Sequence, residues 1–259
     1  MTPIVATVLI VVAMAAVVVH NLHGSDSSAS PASLHSTTTI DGTASPFTSP
    51  APTTTSQTPT TPPDNPALAE AAVHAVDALD VSGVQYGVAV LDRISGHETI
   101  GREGDVGFYS ASVIKLFVVV DLLHKQEMGE LKLDSNVQYD IRRALELSDD
   151  NAMDALWEDF DGPALVTEMI KLAGLHDTVL DAKDSGEWGE TKISARDVLA
   201  VWQYALTKLS GADASLVIND THSAANLGAD GFDQAFGLLE PPRPATVKAK
   251  QGWMIAGSE

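Results

Sequence analysis

The sequence predicts an α+β fold, in which segments near both ends of the folded region form an antiparallel sheet around an all-helical middle. Two strand-like stretches, 84–92 and 97–101, come early and are separated by a short turn. A third strand is predicted at 245–255. Between them, capping and turn residues divide the chain into helix-length segments. The first and last segments are therefore expected to share one sheet.

Residues 1–23 are interpreted as a hydrophobic signal or membrane anchor. Every residue of 3–19 except Thr7 is apolar. As a helix, this run would extend about 25 Å, slightly less than a bilayer core of about 30 Å. The positive charge that usually precedes such a segment is missing, since the first Lys or Arg is Arg93. Retention as a transmembrane helix, cleavage after export and burial as a core helix are the alternatives.

Residues 24–66 are rich in Ser, Thr, Pro and Ala and have almost no large apolar side chains. Such a composition cannot bury enough surface to offset chain entropy, so a disordered linker is expected. An apolar segment followed by this linker predicts an exported protein, either anchored on the outer side of the cytoplasmic membrane or secreted. The chain has no cysteine, which excludes disulfides, a thiol nucleophile and a lipid-bearing cysteine.

The formal net charge is −20, and most of the acidic residues follow the linker. An acidic domain repels nucleic acid and anionic lipid, so nucleic acid is not an expected partner and the membrane is expected only through the N-terminal segment. The histidines show no zinc-type spacing and no phosphate-binding glycine loop is present. We expect no metal, no cofactor and a monomer.

The folded region, 67–259, is predicted to open with a helix that Asn65 caps and Pro66 begins. The hairpin and a buried helix that stops near Gly129 follow. The later elements are a segment at 141–147, helices ending at Phe160 and at Ala173, a loop at 175–193, a helix from Ser194 to Leu209, and helical pieces to Leu239.

Ser112 and Lys115 lie three residues apart in the first turn of the buried helix, and so on one face. A lysine here is unexpected, because the following residues are almost all apolar and the positive end of the helix dipole disfavours a cation. Both effects favour the neutral amine. A neutral amine beside a hydroxyl can activate it as a nucleophile. The competing interpretation is a lysine that merely extends to solvent.

Three motifs occur in order, namely Ser112-x-x-Lys115, Ser148-Asp149-Asp150 and Lys250-Gln251-Gly252. Together they resemble the penicillin-recognising serine hydrolases, that is, the class A β-lactamases and the related penicillin-binding DD-peptidases and transpeptidases, of an actinobacterial exported type. The motifs of that family are Ser-x-x-Lys, Ser-Asp-Asn and Lys-Thr-Gly.

The resemblance implies a role for each matched residue. Ser112 would be acylated, Lys115 would be its base, and Ser148 would pass a proton to the leaving amine. Lys250 would hold a substrate carboxylate. The substrate-binding residues would be Asp150 and three near the third motif: Gln251, Gly252 and Trp253. The backbone N–H groups of Ser112 and Trp253 would form the oxyanion hole.

The chain departs from the family pattern at several points. Asp150 stands where the family has Asn, and a carboxylate near Lys115 favours the ammonium over the neutral base. Gln251 replaces a hydroxyl residue, and Ser148 follows Ser112 by only 36 residues. No Glu-Pro-x-x-x-Asn segment, which supplies the deacylating glutamate of class A enzymes, occurs between 175 and 194. Glu187 and Glu190 are more simply interpreted as solvated residues.

The family would also continue beyond the third motif with two strands and a helix, whereas only seven residues follow Gly252. We therefore expect a C-terminally truncated member, with the hairpin lacking one neighbouring strand unless 245–255 pairs with it directly.

Two functions of different class remain open. The first is a β-lactamase-like serine hydrolase that forms an acyl-enzyme through Ser112 with a β-lactam or a peptidoglycan stem peptide and deacylates weakly. The second is a catalytically impaired cell-envelope binding module that keeps the fold. A purely structural domain would leave Ser112 and Lys115 without a purpose.

Overall fold

The computed structural model describes residues 9–17, 66–79, 84–180, 186–242 and 247–254, which all belong to one compact unit. The predicted linker lies outside the described residues except for Pro66, where the first helix begins. Its disorder stays a prediction.

Seven helices and five strands make up the described part of the chain. The helices are α1 (Pro66–Asp77), α2 (Ile114–Glu127), α3 (Ser135–Glu146), α4 (Asp150–Asp159), α5 (Gly162–Ala173), α6 (Ala195–Thr207) and α7 (Gly211–His222). The strands are β1 (Leu9–Val17), β2 (Val84–Asp92), β3 (His97–Ile100), β4 (Phe108–Tyr109) and β5 (Lys192–Ile193). Short 3₁₀ turns occur at Ala111–Val113, Trp188–Glu190 and Gly237–Leu239. This arrangement confirms the α+β class.

The main sheet is antiparallel with the order β1-β2-β3. Strand β2 is an apolar run that is buried on both faces, and successive side chains alternate between two helices. Val88 and Val90 pack on α1, whereas Ala89 and Leu91 pack on α6. The predicted hairpin is confirmed, with Asp92 opposite His97 at the turn.

The prediction of a membrane-spanning N-terminal helix is wrong for the part of 3–19 that the structure describes. Leu9–Val17 forms β1, which pairs along the whole of β2 from Leu9 opposite Asp92 to Val17 opposite Val84. The segment is rich in the β-branched residues Val and Ile, which favour strands, and an open edge of β2 offers unpaired backbone groups. Within the described ranges, no helix is long and apolar enough to cross a bilayer.

The predicted strand at 245–255 is also absent where the structure describes that segment, at 247–254. The backbone N–H of Ala249 donates instead to the carbonyl of Thr221, at the end of α7, at 3.3 Å. Since β1 and β3 occupy both edges of β2, this segment has no place beside the hairpin strand. The described three-stranded sheet therefore contains only strands from the N-terminal part of the chain. Strand β1 occupies the position beside the hairpin that was expected to lack a strand.

Helix ends agree with the capping residues in the sequence. The Ser194 hydroxyl accepts a hydrogen bond from the Asp197 N–H at 3.1 Å, and Gly174 ends α5 in the left-handed conformation with φ of 65°. One start was missed. The segment predicted from 141 begins at Ser135, because the Asp134 carboxylate caps α3.

Helix α2 is the centre of the protein. Every residue from Ile114 to Leu123 is buried, and α2 packs against α3, α4, α5 and α6. Asp121 lies in the middle of this helix with no exposed surface. Its oxygens have no hydrogen bond in the described structure, and the nearest cation is Lys125 at 3.8 Å. Burial raises the pKa of Asp121 from 3.8 to about 6.

This environment predicts that Asp121→Asn stabilises the protein near neutral pH. A carboxyl pKa that is higher in the folded state favours folding at low pH, and that contribution is lost as the pH rises from about 4 to above 6. The amide avoids the cost of a buried charge, so the gain at pH 7.5 should be about 1–3 kcal/mol in the free energy of unfolding.

Urea denaturation at pH 4.5 and 7.5 measures this difference. The exposed substitution Asp159→Asn is the control and should change stability equally little at both pH values. An Asp121→Asn protein that is less stable than the parent at pH 7.5 would contradict the expectation.

Candidate active site

Ser112 lies in the 3₁₀ turn that leads directly into α2. Its neighbour Ala111 has φ of 42°, in the left-handed region that non-glycine residues rarely adopt. Such a backbone costs about 1–3 kcal/mol and tends to occur at functional sites. Ser112 is buried, and its Oγ accepts a hydrogen bond from Lys115 Nζ at 2.8 Å.

Lys115 has no exposed surface and donates hydrogen bonds to three acceptors. Besides Ser112 Oγ, these are the backbone oxygen of Ser148 at 2.7 Å and Asp150 Oδ1 at 2.6 Å. The ring centroid of Trp188 lies 4.7 Å from Nζ. An ammonium has three N–H donors, so this arrangement uses them all. Burial lowers the pKa of Lys115, while the Asp150 carboxylate opposes that shift.

Ser148 connects Lys115 to a second lysine. Its backbone is left-handed, with φ of 54°. The next residue, Asp149, holds it there, because its carboxylate both caps α4 through Asn151 N–H and pairs with Arg143. The Ser148 carbonyl therefore faces Lys115, and its Oγ accepts from Lys250 Nζ at 2.8 Å.

Lys250 also donates to the backbone oxygen of Gln251 at 2.7 Å. Burial and the nearby charge of Lys115 hold the pKa of Lys250 well below its usual range. The four predicted catalytic residues thus lie together. Lys115 contacts the Ser112 hydroxyl and the Ser148 carbonyl, whereas Lys250 contacts the Ser148 hydroxyl.

Gly252 packs directly against the backbone of the nucleophile turn. A Cβ at this position would lie 2.9 Å from both Ser110 O and Ser112 N, closer than real side chains approach. The sequence favours glycine here as space for substrate. The structure shows a nearer reason, which is that only glycine lets this segment lie against Ser112.

The residues beside Gly252 are engaged with the loop after α7. The Gln251 amide donates to the carbonyl of Phe236 at 2.9 Å. Trp253 stacks on Phe232 with ring centroids 4.5 Å apart, and its indole N–H donates to Asp230 at 3.3 Å.

The loop at 186–191 forms another wall of the site. Strands β4 and β5 pair beside Ser112, and the Ser110 N–H donates to the Thr191 carbonyl at 2.8 Å. This places Trp188 over Lys115, where its indole N–H donates to Asp154 at 2.8 Å. No sequence motif marks Trp188 as a site residue.

These walls enclose a cleft of about 520 Å³ beside Ser112. Its lining includes five acidic residues and no basic one: Asp150, Asp154, Glu158, Glu187 and Asp230. The first three could have been recognised from their i, i+4, i+8 spacing on α4, which places them on one helix face. Among the described residues, no cluster of three or more His, Asp or Glu side chains could hold a metal ion.

The sequence model of the β-lactamase enzyme family matches residues 69–146, which include Ser112 and Lys115. This part of the chain is β-lactamase-like. The match agrees with the family that the motifs resemble, and it ends before Ser148.

The chain is also 31% identical over 183 residues to "Putative lipoprotein LppW" of Mycobacterium bovis and of Mycobacterium tuberculosis, covering 70% of this chain and 57% of each relative. It therefore spans little more than half of those proteins. A β-lactamase structure from Desulfarculus baarsii has 19% identity and a TM-score of 0.48, covering 62% of this chain and 70% of that chain.

The contact between residue 252 and the nucleophile turn predicts that Gly252→Ala impairs the site. The added methyl group should push 250–253 away from Ser112. Labelling of Ser112 by a neutral fluorophosphonate should then fall by a factor of up to about 10²–10³, the size of effect seen when an oxyanion donor is lost. Gly211→Ala is the control, since a Cβ there meets nothing within 4 Å. If Gly252→Ala and Gly211→Ala proteins are labelled at the same rate, the close contact between residue 252 and the backbone around Ser112 is contradicted.

The ion pair between Lys115 and Asp150 predicts that Asp150→Asn makes the lysine a better base. Loss of the carboxylate should lower the pKa of Lys115 further, so the pH–rate profile for labelling Ser112 should move down by about one to three pH units. The rate at pH 7 should therefore rise.

Asp154→Asn is the matched control, because Asp154 lines the same cleft but accepts its hydrogen bond from Trp188. Its profile should stay close to that of the parent. A profile for Asp150→Asn that is unchanged, in a folded protein, would mean that the carboxylate does not control Lys115.

Proposed function

We propose that this chain is a serine hydrolase of the cell envelope that forms an acyl-enzyme through Ser112. Its substrates are amides of the β-lactam or peptidoglycan-peptide type. The observation that carries the proposal is the 2.8 Å hydrogen bond between Ser112 Oγ and the buried Lys115 Nζ. A buried amine whose pKa is lowered, in contact with a hydroxyl, is the arrangement that serine activation requires.

The reaction begins when neutral Lys115 takes the hydroxyl proton of Ser112 as Oγ attacks the carbonyl carbon. The N–H groups of Ser112 and Trp253 stabilise the resulting oxyanion. When the C–N bond breaks, Lys115, which contacts the Ser148 carbonyl in the structure, turns to the Ser148 hydroxyl, and a proton passes through that hydroxyl to the leaving nitrogen. Lys250, bonded to Ser148 Oγ, supplies positive potential to this route.

Deacylation is expected to be slow. The family's water-activating glutamate has no counterpart in the sequence between 175 and 194. Glu187 lines the cleft but is exposed to solvent, so it is not held in a fixed position from which to activate a water molecule. The acyl-enzyme should therefore persist.

One observation favours the alternative, a binding module with impaired chemistry. Asp150 Oδ1 lies 2.6 Å from Lys115 Nζ, and this contact stabilises the ammonium, which cannot act as a base. Such a protein would hold an envelope peptide in the cleft without cleaving it.

Two observations support a location in the cell envelope. Residues 24–66 are rich in Ser, Thr and Pro, a composition typical of the linkers of exported proteins. The mycobacterial relatives carry the name lipoprotein. This chain has no cysteine, so a cysteine-linked lipid is not part of the proposal.

Treatment with a fluorescent penicillin followed by intact-mass measurement tests the enzyme proposal. We expect the protein to gain the mass of one intact β-lactam slowly and to keep it for hours, because loss of water activation costs a factor of about 10²–10⁴. Peptide mapping should place the adduct on Ser112.

Ser112→Ala should show no adduct, and the exposed α7 substitution Ser215→Ala should label like the parent. If the parent is labelled neither by the penicillin nor by the neutral fluorophosphonate, or if Ser112→Ala labels equally well, the hydrolase proposal fails and the binding module remains.

A further inference from the structure

We propose that the acyl substrate of the Ser112 cleft carries a positive charge, and that Asp154, Glu158 and Glu187 select it. The inference rests on the proposed function, because it assigns a substrate class to the same site. The cleft lining contains five carboxylates and no Lys, Arg or His. A narrow opening lined by one sign of charge concentrates ligands of the opposite sign.

The acidic residues on α4 are placed where helix stability alone would not favour them. Asp150, Asp154 and Glu158 follow one another at i, i+4 spacing, and like charges at this spacing destabilise a helix. Glu158 also lies in the last turn, where the helix dipole disfavours an anion. In the described part of the chain, the side-chain carboxylates of Glu158 and Glu187 have no hydrogen bond and no ion pair. Their charges are therefore available to a ligand.

The two lysines that lie behind the lining of the cleft, Lys115 and Lys250, are already engaged within the protein. Lys115 uses its three donors within the protein. Lys250 donates to Ser148 and to Gln251 O, and the Gln251 amide donates to Phe236. A substrate carboxylate would have to displace these bonds while facing the acidic wall. The third motif, which in the family would hold a carboxylate, is thus poorly placed to do so here.

Two aromatic rings also line the cleft, with one face of each already in contact with the protein, Trp188 with Lys115 and Trp253 with Phe232. Each indole N–H donates to a cleft carboxylate, Asp154 and Asp230 respectively. Indole faces attract ammonium and guanidinium groups.

The geometry of α4 sets the expected distance between the scissile carbonyl of the substrate and its positive charge. At 1.5 Å per residue, Asp154 and Glu158 lie about 6 Å and about 12 Å along α4 from Asp150, which contacts Lys115. A primary amine or guanidinium roughly that far from the scissile carbonyl fits this wall. The reaction itself is unchanged, since Ser112 Oγ replaces the leaving amine on the carbonyl carbon and that amine departs with the serine proton.

Three aryl esters of one shape and different charge test the inference. These are the p-nitrophenyl esters of 4-guanidinobenzoate, which is cationic, and of 4-acetamidobenzoate, which is neutral, and the anionic mono-p-nitrophenyl terephthalate. Release of p-nitrophenolate at low salt gives the acylation rate constant. We expect the cationic ester to react about tenfold faster than the neutral one and the anionic ester more slowly than both, with the differences shrinking at 1 M salt.

A triple variant, Asp154→Asn with Glu158→Gln and Glu187→Gln, should remove this order, so that the rates of the cationic and anionic esters come within about twofold of each other. A control variant with the same change in net charge carries Glu70→Gln, Glu98→Gln and Glu240→Gln, at exposed positions away from the cleft lining. It should keep the parental order of the three esters.

Binding to Ser112→Ala separates this inference from the proposed function. Tryptophan fluorescence follows the affinities of the unreactive 4-guanidinobenzamide and of the anionic terephthalamate, and the cation should bind about tenfold more tightly. If no ester acylates Ser112 but the cation is preferred, the proposed hydrolase function fails and the charge selection stands. If Ser112 is acylated without a charge order and both amides bind equally, the charge selection is overturned and the function stands.

Discussion

A lysine side chain with no exposed surface, in the first turn of an otherwise apolar helix, is the constraint on which the site depends. An ammonium left there without partners would cost several kcal/mol. The protein supplies a hydroxyl, a backbone carbonyl and a carboxylate, from Ser112, Ser148 and Asp150. The backbone strain at Ala111 and Ser148 is a consequence, since their left-handed conformations flank the groups that Lys115 contacts.

The contacts that stabilise the charged form of Lys115 also oppose its proposed role as a base. Asp150 stabilises the charged lysine, whereas serine activation needs the neutral amine. The side chain of Asp150 is 61% exposed, so solvent screens its charge while that of Lys115 has no contact with water. Burial therefore remains the larger influence, and the pKa of Lys115 lies below its ordinary value. A cationic substrate near Asp150 and Asp154 would shift this balance further toward the neutral lysine.

Local sequence signals predicted most of the helices, because caps such as Ser194 and Gly174 act within one turn. The Ser112–Lys115 contact was likewise predictable from spacing on one helix face. The pairing of β1 was not, since an apolar run rich in Val and Ile suits either a helix in lipid or a strand beside β2. The acidic cleft was also missed, because Glu187 and Asp230 reach it from loops far apart in the chain.

The central claim is that Lys115 is a buried amine with a lowered pKa beside Ser112, and its titration tests this most directly. In protein carrying ¹³C-labelled lysine, NMR follows the Cε shift of each residue with pH, and Lys115→Met and Lys250→Met identify the two buried signals. The account predicts that both signals titrate below the ordinary lysine range, and that the Lys115 signal moves lower still in Asp150→Asn. A Lys115 signal that titrates with the exposed lysines would contradict it.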